Sequence, residues 1–281
     1  MFTTESRAAW IEKCRKAEGL GFDVIGVADH LGFLAPLPAM LLAAEATERV
    51  HVNSFVLNVP FYNPVLLARE VATVDVLSGG RLELGLGAGY VKAEFETAGI
   101  EFPSAGRRVS QVAEIAATLR RLYADPEYGP QPARAGGPPL LIAGWGDRML
   151  RVAAEHADVV GFTGAPTNDS GRLIAASAQD LDGRVEYVRG VLGERAQEVE
   201  FNLLLQGLVA PAERAAAQEQ LSSLASEGAP ARLEDVPVML LGTPQEMADQ
   251  LHEHRKRYGI TYFTVLEPNM DKLGAVIELV R

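Results

Sequence analysis

Two polar residues, Asp29 and His30, directly follow the apolar run FDVIGVA at 22–28, where a buried strand would end. Imidazole exchanges a proton near neutral pH and can hydrogen-bond a ring nitrogen, which makes His30 the candidate catalytic residue. The alternative is a plain turn in which Asp29 accepts hydrogen bonds from backbone N–H groups. The pair alone favours neither interpretation.

The turn Gly144-Trp145-Gly146-Asp147 joins the apolar stretch LLIA at 140–143 to a helical pattern at 147–156. Glycines at such a junction leave backbone N–H groups free to bind a phosphate at the positive end of the helix, and Arg148 would add charge. Alternatively, Asp147 caps the helix and Gly144 only makes the turn. Spacing alone leaves both interpretations open.

Glycines at 85, 87 and 89 close the strand pattern RLELGL at 81–86. Glycine weakens a strand, so such a run marks backbone that bends sharply or approaches a ligand closely. GLGAG superficially resembles a dinucleotide fingerprint, but YVKAEFETAGIEFP after it is not the amphipathic helix that such a turn requires. We interpret these glycines as letting a flat ring lie against the backbone.

Apolar runs and helical periodicities alternate along the rest of the chain. Strands are predicted at 22–28, 50–58, 81–86, 140–143, 158–162, 199–209 and 261–266, and helices near 10–20, 37–48, 64–77, 107–123, 147–156, 172–196, 212–226, 244–258 and up to Arg281. The polar segment 90–106, the Pro/Gly-rich stretch 129–139 and the piece 227–243 are predicted to be loops or irregular.

This alternation, with nearly continuous apolar strands, predicts a parallel sheet covered by helices. It fits an open doubly wound sheet or a closed barrel, and an eight-stranded barrel whose first strand is truncated to MFTT would give the seven strands counted. In both architectures ligands bind at the carboxyl ends of the strands. Besides Asp29, His30 and the glycine-bearing turns, this rule selects Asn58 with Phe61, Tyr62 and Asn63, Thr163 after the strand 158–162, and Glu267 after the last strand.

Composition limits the classes of partner. The formal net charge of −11 over 281 residues argues against nucleic acid and anionic membrane, which favours a small-molecule partner. No apolar run is long enough to span a bilayer, and the start lacks the layout of a secretory signal. The single Cys14 excludes a disulfide framework and is expected to be a buried thiol in a reducing cytoplasm. No metal site is predicted, since His252 and His254 face different directions on a helix.

Four ordered blocks resemble the bacterial luciferase-like monooxygenase superfamily. They are CRKAEGLGFDVIGVADH at 14–30, VLNVPFYNPVLLAREVATVDVLSGGRLELGLGAGYVKAEFETAGIEF at 56–102, PPLLIAGWGDRMLRVAAEHADVVGF at 138–162 and GTPQEMADQLHEHRKRYGITYFTV at 242–265. The chain is most similar to the branch that uses the deazaflavin coenzyme F-420, although FMN-using members share these blocks. The resemblance implies a (βα)8 TIM-type barrel with parallel strands, a single domain over residues 1–281, and a homodimer.

The resemblance also implies roles for particular residues. Asp29 and His30 would lie beside the reactive face of the ring, with His30 orienting it or transferring a proton, and Asn58 is a further candidate contact. The strand-end bulge Phe55-Val56-Leu57, often with a non-proline cis peptide, would back the ring. Gly87, Ala88 and Gly89 would pass the ring and its ribityl chain, and Gly144, Trp145 and Gly146 would bind the phosphate.

Two positions depart from the pattern of some deazaflavin dehydrogenases of the superfamily. An acidic residue after the glycine stretch is replaced by Tyr90, and a tryptophan four residues beyond the histidine is replaced by Leu34. A sugar-phosphate dehydrogenase is therefore disfavoured.

Four functions compete at this point. The leading hypothesis is an F-420-dependent oxidoreductase that moves a hydride to or from a small organic substrate. The alternatives are a reduced-FMN-dependent monooxygenase of the same superfamily, and a non-catalytic flavin- or deazaflavin-binding protein. The fourth hypothesis is an isomerase or aldolase on a phosphate-binding barrel. It needs a general base at a strand end, and Glu267 is a single isolated candidate, so this hypothesis is disfavoured.

Overall fold

The structure is a computed structural model that describes residues 1, 6–164, 175–223 and 232–281. The helices in this part of the chain are α1 (Arg7–Gly19), α2 (Pro36–Ala46), α3 (Pro64–Leu77), α4 (Lys92–Ala98), α5 (Ala105–Ala124), α6 (Asp147–His156), α7 (Ala178–Leu192), α8 (Arg214–Ser223), α9 (Pro244–Tyr258) and α10 (Met270–Val280). The strands are β1 (Val24–Val27), β2 (His51–Ser54), β3 (Leu57–Asn58), β4 (Leu82–Gly87), β5 (Leu140–Gly144), β6 (Val159–Phe162), β7 (Glu200–Leu205), β8 (Gly207–Val209), β9 (Met239–Leu241) and β10 (Tyr262–Val265).

The chain divides into two compact units, one of Met1–Ala143 with Val152–Val159 and one of Gly144–Arg151 with Val160–Arg281. In the first unit β1 pairs with β2, β2 with β4 and β4 with β5, while β3 also pairs with β4. In the second unit β7 pairs with β10 and β8 with β9. All of these pairings are parallel, as the alternation of strands and helices predicted. The single domain over residues 1–281 stays a prediction.

Local capping explains where several helices begin. Asn63 Oδ1 accepts hydrogen bonds from the N–H groups of Val65 and Leu66, and Pro64 occupies the first turn of α3, so this helix begins where the sequence predicted it. α9 begins with a reciprocal capping box between Thr243 and Glu246.

The core of the first unit contains fully buried apolar residues from each of its strands. Fully buried strand residues are Val27, Val52, Leu57, Leu82, Leu84, Leu86 and Ile142. In β5 consecutive apolar residues are buried, so both faces are covered, as is typical of parallel sheets packed against helices, whereas β2 also buries the polar residue Asn53. α1 packs through Trp10, whose Nε1 donates to Ala39 O of α2 at 3.2 Å, and through Cys14, which is 0% exposed and confirmed as a buried thiol.

Two predicted strands differ in detail. The strand predicted at 50–58 is interrupted at residues 55–56 and forms β2 and β3, and the strand predicted at 199–209 is interrupted at Gln206. Gln206 N instead donates to Val238 O at 2.8 Å, ahead of the β8–β9 pair.

The segment predicted as a loop at 90–106 contains α4. The predictions that fall on residues 2–4, 172–174 and 224–226 lie outside the described residues. None of the helices described has both the length and the apolar character needed to cross a bilayer.

Candidate functional site

The carboxyl ends of the strands in the first unit converge on Asp29. Its Oδ2 accepts a hydrogen bond from the N–H of Asn58, at the end of β3, and another from the hydroxyl of Tyr62, each at 2.9 Å. Parallel strands place these ends at one edge of the sheet, so residues 29 and 58 meet although they are far apart in sequence. Asp29 therefore ties the end of β1 to the segment after β2.

Burial changes the pKa values of Asp29 and Tyr62. Burial raises the pKa of Asp29 above its ordinary value, although the hydrogen bonds from Asn58 and Tyr62 act in the opposite direction. Burial also raises the pKa of Tyr62, and the neighbouring Asp29 carboxylate raises it further. Tyr62 therefore keeps its proton and serves as the donor of the pair.

The neighbouring His30 contacts Glu94 of α4. The distance from His30 Nδ1 to Glu94 Oε1 is 2.7 Å, and the side chains are 30% and 12% exposed. The imidazole makes edge contacts with the rings of Phe33 and Tyr90, at centroid distances of 5.7 and 5.8 Å. Within the described residues no hydrogen-bond partner is found for His30 Nε2. This nitrogen is available for proton exchange with a ligand.

Exposed apolar side chains surround this histidine. Phe33 is 39% exposed and Tyr90 is 50% exposed. Leu31, which forms an isolated β-bridge with Phe33, is 46% exposed. Burial raises the pKa of Tyr90, and so does the nearby Glu94 carboxylate. The arrangement suits a ligand with an apolar body rather than a highly charged one.

The glycines in β4 and directly after it are required by close packing within the protein, which the sequence did not show. A Cβ atom on Gly85 would lie 1.9 Å from Ser54 O, and one on Gly87 would lie 2.4 Å from Val56 Cγ2. A Cβ on Gly89, whose φ is +67°, would lie 2.1 Å from Asn58 Oδ1. These glycines let β4 and the residues after it pack closely against β2, the bulge and β3. The sequence interpretation considered only a ligand as the object of this close approach.

The bulge has the feature that the resemblance implied, because a non-proline cis peptide joins Phe55 and Val56. Phe55 N donates to Val27 O at 2.8 Å, which holds the bulge against the end of β1. Nearby, Asn58 is buried, and its Oδ1 has no hydrogen-bond partner among the described residues. Such an acceptor is typical of a position that a bound water or ligand completes.

The stretch Gly87-Ala88-Gly89 leads from β4 towards α4 and is held by Arg108 of α5. Arg108 Nε donates to Gly89 O at 3.1 Å, and its guanidinium lies 4.2 Å from the ring centroid of Phe102. Burial lowers the pKa of this arginine. The backbone after β4 is therefore fixed by the protein itself.

The turn Gly144-Trp145-Gly146 belongs to the second unit. A Cβ on Gly144 would lie 2.3 Å from Met149 Cγ, whereas nothing lies within 4 Å of a Cβ on Gly146. Asp147, the first residue of α6, forms an ion pair with Arg184 of α7. Gly146 is exposed, and Arg184 lies beside the turn through its ion pair with Asp147, while the contribution of Arg148 stays a prediction.

Sequence reasoning missed Glu94 and Arg108 and gave Tyr62 only as one of several strand-end residues. Glu94 stands in the first turn of a helix, where acidic residues are common, so its type carries no signal. Among the residues described, no group of three or more His, Cys, Asp or Glu side chains could hold a metal ion.

Curated proteins with similar sequences include enzymes of two cofactor classes. The chain is 35% identical over 122 residues to an F420-dependent glucose-6-phosphate dehydrogenase of Amycolatopsis mediterranei, covering 40% of this chain and 37% of that protein. It is 30% identical over 153 residues to the oxygenase component of a flavin-dependent trigonelline monooxygenase of Acinetobacter baylyi, covering 47% and 42%. The chain thus matches less than half the length of these relatives.

A solved structure shows the fold. An F420-dependent secondary alcohol dehydrogenase, in complex with an F420-acetone adduct, superimposes with a TM-score of 0.73 at 19% identity, over 100% of this chain and 96% of that one. The likeness confirms the predicted fold class, an α/β barrel of the TIM type with parallel strands. The family model described as luciferase-like monooxygenase matches residues 3–262, and the chain therefore belongs to the luciferase-like monooxygenase family.

Proposed function

We propose that this protein is a coenzyme F-420-dependent oxidoreductase that moves a hydride to or from a small organic substrate. The observation that carries the proposal is His30, held at the strand ends with its Nδ1 on Glu94 and with no partner for Nε2 in the described part of the chain. The bound coenzyme would supply the hydride chemistry. His30 would take or give the proton that accompanies the hydride.

The residues present fit a flat ring cofactor. Asn58 Oδ1 is a buried acceptor without a partner in the described residues, and an N–H of a bound ring would complete it. Gly87, Ala88 and Gly89 would pass the ring, and the bulge at Phe55 and Val56 would back it. In the second unit, Gly144, Trp145 and Gly146 would bind the phosphate, because Gly146 leaves space for an anion to approach.

The substrate class follows from the surroundings of His30. Phe33, Tyr90 and Leu31 offer exposed apolar surface at the imidazole. A small alcohol or ketone with an apolar body would place its oxygen at His30 Nε2 and its carbon skeleton against these side chains. A sugar phosphate would leave its charge beside aromatic rings, so it remains disfavoured.

A reduced-FMN monooxygenase is the second candidate. The similarity to a flavin-dependent monooxygenase supports it, and so does the apolar surface at His30, which would help to exclude water from a reactive flavin. The two candidates differ in oxygen chemistry, since a deazaflavin reacts poorly with oxygen.

Parallel titrations of the purified protein with F-420 and FMN, followed by fluorescence quenching, test the proposal. We expect tight binding of F-420 and turnover with small alcohols or ketones, without oxygen uptake. Tight binding of FMN with oxygen uptake would replace the proposal by the monooxygenase. Cofactor binding without turnover on any acceptor would support a non-catalytic binding protein. The homodimer stays a prediction, which sedimentation of the same sample checks.

A further inference from the structure

We infer that Glu94 is a positioning residue that fixes which nitrogen of His30 carries the proton. The inference rests on the proposed function for its consequence, because the freed nitrogen is the one that would serve the reaction. The contact that supports it is between His30 Nδ1 and Glu94 Oε1, which are 2.7 Å apart.

The chemistry of the two groups assigns the proton. An ionised carboxylate only accepts hydrogen bonds, so the imidazole nitrogen that faces Glu94 must carry hydrogen. In a neutral imidazole only one nitrogen does so, which leaves His30 Nε2 with a free lone pair. When the imidazole gains a proton at Nε2, the same carboxylate stabilises the positive charge. Glu94 thus serves both states of the histidine.

Glu94 is held rigidly enough to do this. The next residue, Phe95, is 0% exposed and packs on the rings of Phe61 and Phe102, with centroid distances of 4.8 and 4.9 Å. Glu94 N donates to Val91 O at 3.0 Å in the first turn of α4. The backbone direction of the helix, and with it the direction of the Glu94 side chain, is set by this aromatic cluster.

The burial of Glu94 argues against a role in stability alone. Its Oε2 is buried and has no hydrogen-bond partner among the described residues, although burying a carboxylate oxygen without a partner costs free energy. On the same helix Glu96 pairs with Lys92 at 3.2 Å, with 64% of its side chain exposed, as a surface carboxylate usually does. The contrast indicates that Glu94 is placed for its contact with His30.

The consequence for the reaction is a defined path for one proton. An alcohol substrate that is oxidised to a ketone would lose the hydride of its C–H bond to the bound coenzyme. Its O–H bond breaks with proton transfer to His30 Nε2. The reverse steps would reduce a ketone, and Glu94 would keep its contact with His30 Nδ1 throughout.

Nuclear magnetic resonance of protein labelled with ¹⁵N-histidine tests the assignment without any cofactor. The chain has five histidines, and the His30 signal is identified by its loss in His30→Gln. At a pH where His30 is neutral, we expect hydrogen on Nδ1 in the wild-type protein and in the matched control Glu96→Gln. In Glu94→Ala we expect a shift towards the form with hydrogen on Nε2. A neutral His30 with hydrogen on Nε2 in the wild-type protein would overturn the inference without recourse to any variant.

Kinetics with F-420 and a substrate alcohol then tests the consequence. We expect Glu94→Ala to lower kcat roughly 10–100-fold, a usual effect of losing a partner that orients a histidine, with KM little changed. Glu94→Asp should restore part of the loss, and Glu96→Gln should lose nothing. A rise in KM as large as the fall in kcat would refute the role of Glu94. The same fall of kcat in Glu96→Gln would refute it too. If the wild-type protein shows no turnover with F-420, the proposed function fails, while the tautomer spectrum still decides the role of Glu94.

Discussion

Asp29 and His30 are neighbours in sequence but have different tasks. The Asp29 carboxylate accepts hydrogen bonds from Asn58 and Tyr62, so it organises the strand ends, as the turn interpretation of the sequence expected of an aspartate here. The His30 imidazole contacts Glu94 through Nδ1, and its Nε2 has no hydrogen-bond partner in the described part of the chain. The two interpretations that the sequence left open are therefore compatible, since the turn interpretation concerns Asp29 and the catalytic proposal concerns His30.

Replacing His30 by alanine should separate chemistry from binding. General acid–base catalysis contributes about 10²–10⁴-fold, so we expect His30→Ala to lower kcat by roughly that factor. The affinity for the cofactor should change far less, because the glycines and Asn58 remain. His252→Ala, at an exposed position of α9, is the matched control. Equal losses of turnover and cofactor affinity in His30→Ala would contradict a catalytic role.

The raised pKa of Asp29 predicts a pH dependence of stability. Because burial raises its pKa above the ordinary 3.8, the folded state binds more protons than the unfolded state between 3.8 and the folded pKa. The contribution of this group to the free energy of unfolding therefore falls as pH rises through that window and is constant above it.

Asp29→Asn should remove this contribution. Urea denaturation at a series of pH values between about 3.5 and 7 measures it as the difference in slope between wild type and variant. We expect the wild-type protein to lose stability relative to Asp29→Asn as pH rises. An exposed aspartate of α9, changed in Asp249→Asn, is the control. If the free energy of unfolding depends on pH in the same way in the wild type and in Asp29→Asn, the prediction is wrong.

At the scale of secondary-structure elements, the sequence predictions were most accurate where helix-capping residues and hydrophobic periodicity agree. Asn63-Pro64 marks the start of α3, and the alternation in residues 81–86 marks β4. The break between β2 and β3 was implied by the family resemblance but not by the local pattern, because the apolar residues on either side fit one strand and the cause is distant. Val56 packs on Gly87, which lies 31 positions further along the chain.

The candidate site was predictable to a similar degree. Strand-end position selected Asp29, His30 and Asn58, because ligand sites follow parallel strands. It could not select Glu94, since α4 is a helix of only 7 residues inside a segment that looked like a loop. The partner of His30 depends on how this short helix packs, and no local pattern records that.

A double-mutant cycle tests the close packing of β4 on the bulge. Gly87→Ala should destabilise the protein, because its Cβ would lie 2.4 Å from Val56 Cγ2. Val56→Ala removes that atom, and the new Cβ would then lie at an ordinary 3.5 Å from the Cβ of residue 56. We expect the double variant to recover about 1–3 kcal/mol relative to the sum of the single variants, measured by urea unfolding.

Gly85→Ala provides the contrast for this cycle. Its Cβ would lie 1.9 Å from the backbone oxygen of Ser54, which no side-chain substitution can move. Val56→Ala should therefore leave most of the loss in Gly85→Ala unrestored. Simple additivity for Gly87→Ala with Val56→Ala would show that the glycine is not required by Val56.

At the scale of the whole molecule, charge opposes the proposed ligands. The chain has a formal net charge of −11, and both F-420 and FMN are anions. Long-range repulsion of an anion must be offset by local groups at the site. The turn before α6 offers such a place, because Gly146 is open and Arg184 lies beside Asp147.

Binding to the folded state should make this site visible in global stability. A ligand at about 100 times its Kd stabilises a protein by about 2.7 kcal/mol, so we expect F-420 to raise the unfolding temperature of the wild-type protein. Gly146→Val should fold normally, since nothing lies within 4 Å of its Cβ, but it should block approach of the phosphate and reduce the shift. Gly183→Val, equally open and located in α7, should keep the full shift. An undiminished shift in Gly146→Val would mean that the phosphate binds elsewhere, and a shift with FMN alone would identify the flavin as the cofactor.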